Sequence, residues 1–164
     1  MGSGYDFKCK KCKTEYSAMP GVGMMFPRVY KGAVEDIKNG KYGPEWQQIM
    51  NSEEFVAVNA EREVYICSEC KHWELELNLS LYRPKDAASI RTKQYGIKTV
   101  DEWGYVPYVM GYDLKEEYSL IKVCVHKCKK CGKRMHKATD EEIKNLPCPK
   151  CGTENTTSGL VMWD

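Results

Sequence analysis

The sequence predicts a small α+β fold stabilised by bound metal. It has two β-hairpin units turning at Cys-x-x-Cys knuckles, the first with an inserted helical segment. Three observations lead there. Eight of the nine cysteines fall into four Cys-x-x-Cys pairs: Cys9/Cys12, Cys67/Cys70, Cys128/Cys131 and Cys148/Cys151. Strand-like runs with period-two alternation lead into or out of those pairs. With 164 residues divided between two units, neither is large enough to build a sizeable apolar core alone.

A Cys-x-x-Cys turn sets two sulfurs on one side of a tight loop, where both can hold one ion. Two such turns make a tetrahedral four-thiolate site, the donor set that suits zinc. A single pair would also fit a redox enzyme, whereas four pairs point to metal. A disulfide framework is the competing explanation, but 9 cysteines in 164 residues is sparser than disulfide-dense secreted scaffolds. The eight paired cysteines are therefore the expected ligands of two Zn2+ ions, in a reducing, cytoplasmic compartment where thiols persist until metal arrives. Four half-sites can pair in three ways. The sequential scheme joins Cys9/Cys12 with Cys67/Cys70 and Cys128/Cys131 with Cys148/Cys151, and its second loop of 16 residues falls in the usual ribbon window. Closure entropy rises too slowly with loop length to decide the matter, but local strand pairing favours this scheme over an interleaved one.

Three segments are expected: an N-terminal unit at 5–84, an aromatic-rich connector at 85–114 and a C-terminal unit at 115–164. Lys8-Cys9-Lys10-Lys11-Cys12 recurs letter for letter as Lys127-Cys128-Lys129-Lys130-Cys131, which supports two sites of one kind. Gly2-Ser3-Gly4 looks like a cloning remnant and is left outside the expected fold. No charged-then-apolar leader is expected at the start. Tyr30, Val34 and Ile37 stand at helical spacing, with Asn39-Gly40 as a stop. Pro44 opens a short helix carrying Trp46, Ile49 and Met50. Phe55 to Val58 reads as a strand, and Val64 and Ile66 lead into Cys67 as another. Trp73, Leu75, Leu77, Leu79 and Leu81 alternate with Glu74, Glu76, Asn78 and Ser80, predicting one long strand that ends at Arg83-Pro84. Ile121, Val123 and Val125 form one face of a strand running into Cys128. Thr139-Asp140-Glu141-Glu142 is a capping box for one turn with Ile143. Leu160 to Trp163 reads as a last strand.

At these residues the chain resembles the zinc-ribbon superfamily, with knuckles of the rubredoxin type. Cys128-Lys129-Lys130-Cys131-Gly132 followed by Cys148-Pro149-Lys150-Cys151-Gly152 is similar to that family's paired turns, in which a glycine after the turn lets amides point at sulfur. The match spans about 25 residues, and the 54-residue spacer between Cys12 and Cys67 departs from a minimal ribbon. The resemblance therefore implies an elaborated ribbon with inserted helices. The whole chain also resembles uncharacterised bacterial double zinc-ribbon proteins, a likeness that brings no activity with it. Rubredoxins bind iron and carry electrons, so iron is the lesser alternative. Against it stand a short spacer and the lack of an aromatic cluster around the first turn.

Lys122, Lys127, Lys129, Lys130, Lys133, Arg134 and Lys137 fall in a stretch without an acid. Lys129, Lys130, Lys133 and Arg134 are the candidate nucleic-acid contacts. Net charge is only +2, however, and two dications each held by four thiolates would take it to about −2. The lysines are then read chiefly as compensation for anionic clusters. A protein partner is expected first and nucleic acid second. Neither a membrane span nor a small-molecule substrate is expected. Cys124 and His126 share a face with Leu120, either as a reactive thiol with a base or, as favoured here, as a small buried thiol beside a histidine. His72 and His136 are expected outside the ligand sets. Tyr95, Trp103, Tyr105, Tyr108 and Tyr112 are either a stacking platform or packing between small units. Met24-Met25-Phe26-Pro27 reads as an apolar contact loop. Asn155-Thr156-Thr157 fits a glycosylation pattern, without meaning in a reducing compartment. No nucleophile elbow, His-Glu-x-x-His or other recognised catalytic frame is found. Four-cysteine sites are closed, so the expected function is non-catalytic.

Overall fold

The computed structural model describes residues 2–163. In chain order the elements are β1 (Gly2–Cys9), β2 (Glu15–Ala18), α1 (Phe26–Lys38), α2 (Pro44–Ser52), β3 (Ala57–Val58), β4 (Arg62–Cys67), β5 (Trp73–Leu77) and β6 (Leu81–Pro84). They continue as α3 (Ala87–Thr92), β7 (Gln94–Tyr95), β8 (Lys98–Thr99), α4 (Val100–Trp103), α5 (Gly111–Glu117), β9 (Tyr118–Lys122), β10 (Met135–Lys137), α6 (Asp140–Lys144) and β11 (Thr156–Trp163). No helix among the described residues is long and apolar enough to cross a membrane.

The chain forms two units, and they do not follow the expected 5–84, 85–114 and 115–164. The first is assembled from three separate stretches: the N-terminal segment to Met24, Arg62–Leu77, and Val125 onward. The second consists of Met25–Glu61 and Asn78–Cys124. Two of the four crossings between them, at Leu77/Asn78 and Cys124/Val125, fall inside stretches that read as continuous strands in sequence. The predicted Trp73–Leu81 strand is two strands, separated at Asn78–Ser80 where Leu79 adopts φ +62°. The predicted strand through Val123 and Val125 stops at Lys122, and both valines are about half exposed.

The first unit holds two antiparallel sheets of the same design. In one, β1 pairs with β2 through the first knuckle, and β11 adds along the other edge of β1, from Gly2 opposite Trp163 to Cys9 opposite Thr156. Gly2-Ser3-Gly4, set aside in the sequence, are thus ladder residues. In the other sheet β4 pairs with β5 through the second knuckle, and β10 adds beside β4, with Met135 opposite Cys67. Both sheets contribute to one small core. Phe7 and Ala18 come from the first, Val64 and Ile66 from the second, and Ala138, Ile143 and Leu146 from the segment around α6. The α6 turn starts in the expected capping box, Thr139 accepting the Glu142 amide and Glu142 accepting the Thr139 amide.

The second unit contains the inserted helices. The face of α1 formed by Phe26, Tyr30, Ala33 and Ile37 is buried, as the 3.6-residue period requires. Its C-cap is Asn39, followed by Gly40 at φ +82°. α1 packs on α2 and β3, and the Val58 N–H donates to the Tyr30 hydroxyl at 3.4 Å. β6 lies between β3 and β9 in a three-stranded antiparallel sheet. The expected strand at Phe55–Val58 is only Ala57–Val58, because Phe55 takes φ +54°. The 85–114 segment is not a bare linker: it forms α3, the β7–β8 hairpin, α4 and most of α5, with Ile90, Val100, Val106, Val109 and Leu114 buried.

Candidate metal centres

The four knuckles share one backbone geometry. At each, the first cysteine's N–H donates to the carbonyl five residues on: Cys9 to Thr14 (2.9 Å), Cys67 to His72 (2.9 Å), Cys128 to Lys133 (2.8 Å) and Cys148 to Thr153 (2.9 Å). The residue four positions on donates back to the first cysteine's carbonyl, at 2.7–3.0 Å in all four. That residue takes a left-handed conformation: Lys13 (φ +62°), Lys71 (φ +59°), Gly132 (φ +72°) and Gly152 (φ +71°). The glycine amides thus reach the cysteine carbonyl. Other amides reach sulfur; Cys12 N–H approaches Cys9 Sγ at 3.4 Å.

The knuckles combine in a nested order, which corrects the sequential pairing. Cys9, Cys12, Cys148 and Cys151 form one tetrad, and Cys67, Cys70, Cys128 and Cys131 form the other, each with all sulfurs within 4.8 Å of one another. The sheets dictate this. β11 follows the last knuckle and runs the length of β1, while β10 follows the third and pairs with β4. Closing about three doublings of loop length costs only about 2 kcal/mol more than the 16-residue loop. An eight-residue ladder outweighs that difference.

The sulfur positions fit a tetrahedral dication. At a metal–sulfur distance of about 2.3 Å, the edge of a regular tetrahedron is about 3.8 Å. Cys9–Cys151 and Cys12–Cys148 are each 3.6 Å apart, and in the second tetrad Cys67–Cys131 is 3.4 Å and Cys70–Cys128 is 3.6 Å. The thiol acidities also call for a cation. The Thr14 hydroxyl and amide, helped by the neighbouring thiols, pull Cys12 down to about 6, and the amides of Cys70 and Glu69 bring Cys67 to about 7. The Lys133 amide favours the Cys131 thiolate, but burial and the thiols of Cys67, Cys70 and Cys128 push it up to about 12. Against the Thr153 amide, burial and Cys9, Cys12 and Cys148 push Cys151 up to about 11. Four sulfurs this close cannot all ionise without a positive ion among them, and a coordinating cation strips those protons.

Aromatic side chains brace the first tetrad, which corrects the expectation that its first turn lacks an aromatic cluster. Tyr5, Phe7, Tyr16 and Trp73 pack ring to ring, so the rings do not argue against iron. Tyr16 donates its hydroxyl to the Leu146 carbonyl at 2.8 Å and stacks on Phe7 at 4.9 Å. Trp73 donates its indole N–H to the Pro147 carbonyl at 2.8 Å. Both hold the segment that delivers Cys148. The sequence offers no local sign of this role, because the partners lie 130 and 74 residues away.

The remaining candidates lie outside the tetrads. His72 sits 3.5 Å from Glu74, and His136 lies between Ser68 and Glu142 at 3.3 and 3.0 Å. His126 stacks on Tyr65 at 3.8 Å. Cys124 belongs to the second unit; its N–H donates to Ser80 Oγ at 3.1 Å, and burial pushes its thiol up. Of the knuckle cations, Lys129 is held by the carboxylates of Glu74, at 3.1 Å, and Glu76. Lys130, Lys133 and Arg134 are exposed, with Arg134 bridged to Lys127 through the backbone. The compensation assigned to anionic clusters is thus shared with strand carboxylates; Lys137 likewise pairs with Glu63 at 2.6 Å. Comparison with known proteins finds no matching family model, no similar curated protein and no similar solved structure.

Proposed function

We propose that this is a zinc-binding protein whose two four-cysteine sites are structural, and that it acts as a non-catalytic binding or adaptor module. The carrying observation is the nested pair of sulfur tetrads, which tie three distant stretches of chain into one unit. Zinc suits four thiolates at tetrahedral spacing and needs no redox partner. A site closed by four cysteines leaves no position for water or substrate, so the metal serves folding. The main apolar cluster of the first unit, only seven buried residues, agrees with that role. Native mass spectrometry of freshly purified protein should show two zinc ions per chain in a colourless sample. Visible sulfur-to-metal charge-transfer bands with iron in the same stoichiometry would replace zinc by iron and reopen electron transfer. A chain that keeps its far-UV spectrum and melting curve after complete metal removal would sink the structural role.

A further inference from the structure

In the second unit, the first turn of α1 and the 95–108 segment enclose an open groove of about 440 Å³. Four aromatic rings line it. Tyr95 and Tyr108 meet edge to face at 5.1 Å, and Trp103 and Tyr105 do so at 6.1 Å. Trp103 is 39% exposed and is fixed by its indole N–H, which donates to the Tyr95 carbonyl at 3.2 Å. The Tyr95 hydroxyl is buried and has no hydrogen-bond partner among the described residues. Rings that merely completed a core would not leave an indole this open beside a groove of ligand size.

The charged side chains that line the groove are both basic, although Tyr95, whose hydroxyl pKa burial pushes up, lies near enough to the Asp113 and Glu117 carboxylates for them to raise it further. No carboxylate lines the groove, whereas Arg28 and Lys31 line it one turn apart on α1. Lys98 Nζ lies 5.3 Å from the Trp103 ring centroid. Among the described residues no carboxylate pairs with Arg28, and Lys31 has only Glu35 at 3.9 Å. α1 begins with no side-chain cap and no acid in its first turn, so the positive end of its dipole adds to the same side. The groove thus offers flat apolar faces beside fixed positive charge.

We infer that this groove binds single-stranded nucleic acid. Bases stack on Trp103, Tyr105 and the Tyr95–Tyr108 pair, and phosphates face Arg28 and Lys31. An acidic peptide would use the cations and leave the rings idle; an apolar peptide would do the reverse. A duplex keeps its bases stacked on each other, so only an unpaired strand uses both features. The inference rests on the reading of the protein as a binding module and supplies its partner. It moves the nucleic-acid surface away from the knuckle lysines, of which Lys129 is already held by Glu74 and Glu76. Every groove residue belongs to the unit without cysteine ligands, so the inference does not depend on which metal is bound.

The test is fluorescence anisotropy of the metal-loaded full chain with labelled mixed-sequence DNA and RNA strands of about 12 nucleotides, titrated from about 50 to 200 mM salt. Binding should be detectable at low salt and fall steeply as salt rises. Trp103→Ala should weaken it about tenfold, with Trp103→Phe restoring most of the loss. Arg28→Ala/Lys31→Ala should also weaken it about tenfold and flatten the salt slope by about 0.7 per lost contact. The charge-matched pair Lys130→Ala/Lys133→Ala should change much less. Melting curves and ion counts of each variant separate binding defects from unfolding. No binding at low salt by protein that still holds two ions would overturn the inference and leave the metal reading intact. Equal affinity for duplex, equal displacement by free mononucleotide or polyglutamate, or equal loss from the knuckle pair would also overturn it.

Discussion

The two units of this chain solve the same stability problem by different means. The second hides large side chains in the ordinary way: Tyr30, Ile37, Val58, Leu81, Val100 and Val109 are each no more than 1% exposed. The first has three stretches of chain to fasten, and among its most deeply buried side chains are Cys9, Cys67 and Cys148. Burial there sets sulfur against sulfur at 3.4–3.6 Å, an arrangement that becomes favourable once a cation sits between them. A small domain can be closed by apolar area or by coordination, and an ion in each sulfur tetrad would let one chain use both.

The sharpest way to break that contrast is to remove the metal. Structural zinc contributes roughly 10–16 kcal/mol in small zinc-folded peptides, comparable to a domain's whole stability of about 5–15 kcal/mol. Chelation should therefore abolish hydrogen-exchange protection in β1, β4, β10 and β11, while α1 and β6 remain protected. Protection lost uniformly across both units would show that the second cannot stand without the first. Protection kept throughout would show that sulfur coordination holds nothing.

Next in size is removal of one site. Cys148→Ser/Cys151→Ser should cost one ion per chain and loosen Gly2–Cys9 along with β11. It should leave Arg62–Cys67 and the Cys128 knuckle ordered, because the second tetrad keeps its four ligands. Native mass spectrometry and peptide-resolved exchange measure both. A sequential pairing would loosen the Cys128 knuckle instead, so this variant decides the order of closure.

Within the second unit the same logic predicts a smaller, metal-independent effect. Ile37 is fully buried on the inner face of α1, and Ile37→Ala should cost about 2–5 kcal/mol. The melting transition should fall while the ion count stays at two. Loss of an ion in this variant would mean that the units share their stability.

How much of this was legible in sequence differs between the units for a physical reason. The four Cys-x-x-Cys turns, the helix of Tyr30 and Ile37, the Pro44 helix and the Thr139 capping box all depend on residues within a few positions of one another, and each appears where the pattern puts it. The pairing of knuckles depends on strands 149 positions apart, such as Lys8 and Thr157, and no local pattern encodes it. The leucine alternation misled for a related cause. Leu75 and Leu77 belong to one unit and Leu79 and Leu81 to the other, so a regular period runs across a boundary that only Leu79's φ of +62° reveals. The strand from Leu160 to Trp163 was visible, but its partner was the segment at Gly2-Ser3-Gly4 that looked like a remnant.

The finest comparison is among the knuckles themselves. Four turns of one geometry place Gly132 and Gly152 in two left-handed positions and Lys13 and Lys71 in the other two. A residue with a Cβ loses about 1–2 kcal/mol there, and glycine gives back about 0.5–1 kcal/mol through its freer unfolded chain. Lys71→Gly should therefore stabilise the second tetrad by a net of about 0.5–1 kcal/mol. Gly132→Ala should destabilise it by about as much, with no steric addition, since a Cβ at Gly132 meets nothing within 4 Å. Both are read as shifts in the denaturant midpoint of the metal-loaded protein at constant ion count. A larger loss from Gly132→Ala would mean that the turn tolerates lysine only on the N-terminal knuckle of each tetrad. The four turns would then be alike in hydrogen bonding but not in strain.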